Sequence, residues 1–62
     1  MDEICTVGKK YFFRTKHDRV YAGVVTKVDT SSPPLVFFYI LDRNGKNVML
    51  LKSELIEVKE EQ

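Results

Sequence analysis

Residues 35–58 constrain the fold most: an apolar run, LVFFYIL, meets Asn44-Gly45 and returns through VMLL into KSELIEV. Asn-Gly between apolar segments is a strong hairpin signal, because a two-residue type I′ turn needs positive φ at both positions and only Gly and Asn adopt it cheaply. Such a loop also fixes the register, setting Leu41 opposite Val48, Ile40 opposite Met49, Tyr39 opposite Leu50 and Phe38 opposite Leu51. On that register Val36, Phe38, Ile40, Met49 and Leu51 share one face of the hairpin, and Leu35, Phe37, Tyr39, Leu41, Val48 and Leu50 share the other.

The rest of the chain also reads as strand. Lys10–Thr15 (KYFFRT) carries aromatics and a β-branched end, KHDR is a four-residue polar connection, and residues 20–28 (VYAGVVTKV) hold four valines. Gly23 inside that second strand marks a bend, a bulge or a close backbone approach, and in a short barrel it reads as a corner where the strand bends. Residues 29–34 (DTSSPP) read as a loop, since consecutive prolines remove two ladder donors and fix φ. Residues 52–55 are too short for an α-helix and read as one 3₁₀ turn before a last strand at residues 56–59. The expected fold is therefore all-β: five short strands in a small SH3-like or Sm-like barrel with a 3₁₀ turn before the last strand. Residues 1–62 form one domain, with flexible ends at 1–8 and 59–62.

Two segments carry a family resemblance. VYAGVVTKVD places Gly23, Val25, Val28 and Asp29 where Sm-like and Hfq-like proteins have a Gly, two core apolar residues and an Asp at the end of their second strand. MLLKSELIEV is similar to the Hfq-like fourth strand, turn and fifth strand, with Met49, Lys52, Leu55 and Val58 matching. The resemblance covers roughly two-thirds of the chain. It implies a small barrel and, through Lys52, a link to RNA. The departures are specific: where that family carries Tyr-Lys-His for uridine, this chain has Leu51-Lys52-Ser53, and its third strand lacks the RNA-contacting Asn.

A single core in a chain this short contributes only a few kcal/mol, so a supplement is expected. With one cysteine, Cys5, and one histidine, His17, neither a disulfide nor a metal-ligand cluster is available, which leaves self-association. The lone thiol fits a reducing compartment, and no signal peptide or membrane span is legible, so the cytoplasm is the expected location. His17-Asp18 lacks a nucleophile and an orienting group at workable spacing, and Gly23 and Gly45 are isolated rather than part of a phosphate-cradling loop. No enzyme activity, cofactor, metal or small-molecule substrate is expected.

Two binding readings remain. Residues 9–27 hold Lys9, Lys10, Arg14, Lys16, Arg19 and Lys27 against Asp18 alone, although the whole chain carries only +1. Lys10, Arg14, Lys16, Arg19 and Lys52 are thus candidate phosphate contacts for RNA or another single strand, with Tyr11, Phe12, Phe13 and Tyr21 interleaved for stacking. The other reading starts from the third strand, which is apolar on both faces while one barrel has one interior. Its outer face is then covered by its own chain through a sharp bend, forms a contact with a protein partner or a second copy, or lines a groove with Tyr11, Tyr21 and Tyr39. Under the contact reading the candidate interface is Val36, Phe38, Ile40, Met49 and Leu51. Assembly or protein contact is the leading function class and RNA binding the alternative.

Overall fold

The computed structural model describes residues 5–61, and among them five strands form one antiparallel sheet. The strands are β1 (Lys10–Thr15), β2 (Val20–Ser32), β3 (Leu35–Leu41), β4 (Asn47–Leu51) and β5 (Leu55–Glu60), with a 3₁₀ turn at Lys52–Glu54. Their order is β4-β3-β2-β1-β5, which leaves β4 and β5 as edges with no pairing that closes the sheet. The all-β class and the turn before the last strand are as the sequence implies. There is no α-helix among the described residues, hence none long and apolar enough to cross a membrane.

The β3–β4 connection differs from the expected two-residue turn. The Asp42 amide donates to the Lys46 carbonyl at 3.0 Å and the Gly45 amide to the Asp42 carbonyl at 3.0 Å, so three residues, Arg43 to Gly45, form the loop. Gly45 has φ +80° while Asn44 is not among the positive-φ residues, as in a type I turn followed by a bulge glycine. Asp42 dictates this choice: its Oδ1 accepts the amides of Asn44 and Lys46, both at 2.9 Å. The extra residue moves the register by one, giving Phe38 opposite Leu50, Tyr39 opposite Met49 and Ile40 opposite Val48. A one-residue shift in a strand exchanges faces, so Val48 and Leu50 join Val36, Phe38 and Ile40, whereas Met49 and Leu51 turn the other way.

The β1–β2 connection repeats the same device. Thr15 pairs with Arg19 through its amide at 2.9 Å, and its Oγ1 accepts the amides of His17 at 3.3 Å and Arg19 at 3.2 Å. Here the left-handed position falls to Asp18, at φ 65°. Two hairpins thus share one backbone solution, one closed by Gly and one by Asp.

β2 runs four residues further than expected, through Ser32. The prolines occupy only the two turn positions between Ser32 and Leu35, which still pair, so neither has to donate to the ladder. The Pro33-Pro34 peptide is cis. β2 gains residues on β3 at two irregularities, one at Thr26 and one between Asp29 and Ser32. The second is held by Asp29, whose Oδ1 accepts the Ser31 amide at 2.9 Å and the Ser31 hydroxyl at 2.7 Å.

One face of the sheet carries the core: Tyr11 and Phe13 of β1, Val25 of β2, Phe38 and Ile40 of β3, and Leu50 of β4, with Cys5 added from the N-terminal segment. The Phe13 ring lies 6.3 Å from Phe38 and 6.1 Å from Tyr11, so β1 and β3 meet across the inner face over the intervening β2. Burying a side chain of this size contributes about 1.5–3 kcal/mol. Gly23 lies on the same face, and a Cβ there would stand 2.5 Å from the Leu41 carbonyl oxygen. The glycine is required by this close approach, because its φ is an ordinary negative one.

Parts of both ends pair with the sheet. Residues 1–4 and 62, including the acidic Asp2 and Glu3, lie outside the described residues. Cys5 is buried, Thr6 donates its amide to Tyr11 Oη at 2.7 Å, and Gly8 donates to the Val25 carbonyl at 2.8 Å. At the other end β5 continues to Glu60, and the Glu61 amide donates to the Lys10 carbonyl at 2.8 Å.

Candidate functional site

Because β5 pairs with β1, the acidic C-terminal strand lies alongside the basic first hairpin. Arg14 Nε is 3.5 Å from Glu57, and its Nη1 is 3.4 Å from Asp18. Lys9 meets Glu60 at 3.4 Å, Lys59 meets Glu57 at 3.5 Å, and His17 Nε2 is 3.3 Å from Glu54. These pairs are exposed and contribute little stability. Their consequence is electrostatic: Arg14 is already matched by two carboxylates. Lys10, Lys16 and Arg19 are exposed and form no ion pair among the described residues. Lys52 stands apart from them on the 3₁₀ turn, beside a shallow depression of about 240 Å³ also lined by Pro34, Leu35, Val36, Leu51 and Ser53.

The candidate interface set is divided by the register. Val36, Phe38 and Ile40 point inward, and Phe38 and Ile40 are 2% and 0% exposed, so neither belongs to an exposed face. Met49 and Leu51 point outward and join Leu35, Phe37, Tyr39 and Leu41 instead. The three tyrosines line no common groove: Tyr11 is buried, Tyr21 packs against the core, and Tyr39 lies on the opposite face.

The outward face is laid out in rows. Lys27 of β2 pairs with Tyr39 of β3, which pairs with Met49 of β4. The next row on that face is Asp29, Phe37 and Leu51, and above the first lie Val24 and Leu41. Met49 is 56% exposed, Leu35 43% and Leu41 39%, while Phe37, Tyr39 and Leu51 are half-buried against their neighbours. Lys27 Nζ sits 5.5 Å from the Tyr39 ring centroid, within cation–π range. The two hydrogen bonds from Ser31, the hydroxyl's first, hold the Asp29 carboxyl below its ordinary range, so it is charged at neutral pH.

The sequence pattern puts Phe37, Tyr39 and Leu41 on one face, but beside Val48 and Leu50 rather than Met49 and Leu51, and it gives Lys27 and Asp29 no part there. The signal was present in Asp42: Asp at the first and Gly at the fourth position of DRNG favour a type I turn and hence the odd loop. Cys5 is remote from this surface, and its burial pushes the thiol up to about 11, so it stays protonated at neutral pH.

Compared with protein-family models, curated proteins and solved structures, the chain matches none.

Proposed function

We propose that the chain is a non-catalytic, cytoplasmic binding module, a small barrel of the SH3-like or Sm-like kind, that works through protein contact or assembly on the outer face of β3 and β4. The observation that carries the reading is the second apolar face of the hairpin: the core uses Phe38, Ile40 and Leu50, yet Phe37, Tyr39, Leu41, Met49 and Leu51 lie on the other side. Contiguous exposed apolar surface on a small domain marks an interaction site. Binding of RNA is the second reading, favoured by cations without an ion pair among the described residues: Lys16 and Arg19 at the turn of the first hairpin and Lys10 at its open end. Against it, Arg14 is neutralised by its neighbours and the stacking candidates Tyr11 and Phe13 are in the core.

A photoreactive side chain tests the choice of face. Placed at position 49 in living cells, it should yield a protein adduct, while the same group at position 16 yields none. Nucleic-acid adducts at position 16 with nothing at position 49 would overturn the reading and favour RNA.

A further inference from the structure

We infer that the occupant of this outer face is a second copy of the chain, related by a two-fold axis that lies between the sheets and perpendicular to the strands. The inference rests on the contact reading above and names its partner. Its basis is the self-complementarity of the two rows, Lys27–Tyr39–Met49 and Asp29–Phe37–Leu51. An axis level with Val28 and Phe38, midway between the rows, turns each row onto the other row of the partner copy.

Every position in the two rows then meets a suitable neighbour. Lys27 faces Asp29 of the partner copy and Asp29 faces its Lys27, giving two symmetric ion pairs. Tyr39 meets Phe37, and Met49 meets Leu51, so aromatic lies on aromatic and aliphatic on aliphatic. A two-fold interface demands this reciprocity, in which residue i meets j and j meets i. Among the described residues neither Lys27 nor Asp29 forms an ion pair within its own chain, and both Ser31 bonds go to Asp29 Oδ1, which leaves Oδ2 for the partner copy. Facing sheets pack about 10 Å apart, a gap that interdigitating side chains of this size fill.

The size of the patch sets the expected strength. Three strands five residues long span about 10 Å by about 17 Å between outer backbones. Even with rim residues such as Leu35 and Leu41 this footprint is smaller than that of standard specific interfaces, so weak association, with dissociation in the upper micromolar range, is expected.

Sedimentation equilibrium from about 5 to 500 µM, bracketing that range, tests the inference with a charge exchange. Wild type should approach twice the chain mass. Lys27→Glu places Glu opposite Asp29, and Asp29→Lys places Lys opposite Lys27, so each variant alone should dissociate about tenfold or more readily than wild type. An equimolar mixture of the two should regain association, because the positive face of one meets the negative face of the other. Met49→Glu, at an exposed position, should be a folded monomer by circular dichroism. If Asp29→Lys disturbs the Ser31 turn and unfolds, Lys27→Glu and Met49→Glu still decide the matter.

A wild-type monomer throughout the range would overturn the second-copy inference, while photoadducts of other mass at position 49 would leave the contact reading standing. A wild-type dimer untouched by Met49→Glu and Lys27→Glu would overturn the second-copy inference by placing self-association on another surface. Dissociation of the single variants without recovery in the mixture would overturn the two-fold pairing.

Discussion

Gly23→Ala is the substitution for which the structure makes the sharpest demand. A methyl group there would stand 2.5 Å from the Leu41 oxygen, 2.9 Å from its carbonyl carbon and 3.1 Å from Asp42 Cα. All three are backbone atoms, so no side chain can rotate away. Restoring ordinary contact at about 3.4 Å would move the chains apart by roughly 0.9 Å, and misfits on this scale in packed interiors cost about 1–3 kcal/mol. Alanine has the opposite intrinsic effect, because it loses less backbone entropy on folding, worth about 0.5–1 kcal/mol in its favour. Overlap outweighs entropy, and a net loss of about 1–2 kcal/mol is expected. For a domain of this length the total is only about 3–9 kcal/mol. The assay is urea unfolding followed by circular dichroism at low micromolar concentration, with Gly45→Asn as the control. Gly45 has φ +80° and nothing within 4 Å of an added Cβ, so Asn, which tolerates that backbone, should retain most stability there. A Gly23→Ala midpoint equal to or above wild type would refute the steric argument.

Two further outcomes follow from the turns. Asp18→Gly should raise the urea midpoint by about 0.5 kcal/mol equivalent, since Asp18 holds φ 65° and glycine removes the steric cost there; the exposed Arg14–Asp18 pair lost with it is worth little, and a lower midpoint would contradict the shared-loop account. For Asp29, a depressed folded pKa means stability that is present above the unfolded value and lost as pH falls through the folded one, a window lying below about 3.8. Ser31→Ala removes the hydroxyl that lowers it most, so the carboxyl should titrate by NMR nearer its ordinary value and wild type should lose its advantage over the variant in acid; an unchanged Asp29 titration would show that the hydroxyl is not the cause.

Strand existence was legible because β-branched and aromatic runs bounded by polar turns leave few alternatives; β1 has the bounds the sequence implies and β4 contains the VMLL run. What the runs did not reveal was parity. LVFFYIL and VMLL are apolar at every position, so hydrophobic alternation, which normally fixes which residues face inward, is silent over both strands. Parity then rested on one turn, and the local competition in that turn was between Asn44-Gly45 as a type I′ pair and Asp42 as an acceptor for two amides. Asp42 prevailed, one residue was added, and Met49 and Leu51 exchanged faces with Val48 and Leu50.

Pro33-Pro34 likewise hides the length of β2 and, with it, the charged edge of the outer face. Pro33-Pro34 excludes strand only at its own two positions, yet its influence was extended back over Asp29 to Ser32, where Asp29 and Ser31 absorb an irregularity and let pairing continue. Truncating β2 at residue 28 detached Asp29 from the sheet, and with it the second row. Lys27 and Asp29 have meaning only when both are strand residues of one parity, set beside Tyr39 and Phe37. A lysine and an aspartate two positions apart are unremarkable in a sequence. On a sheet face flanking apolar rows they become a pattern that is its own complement under a two-fold rotation, which is the property a homotypic contact requires.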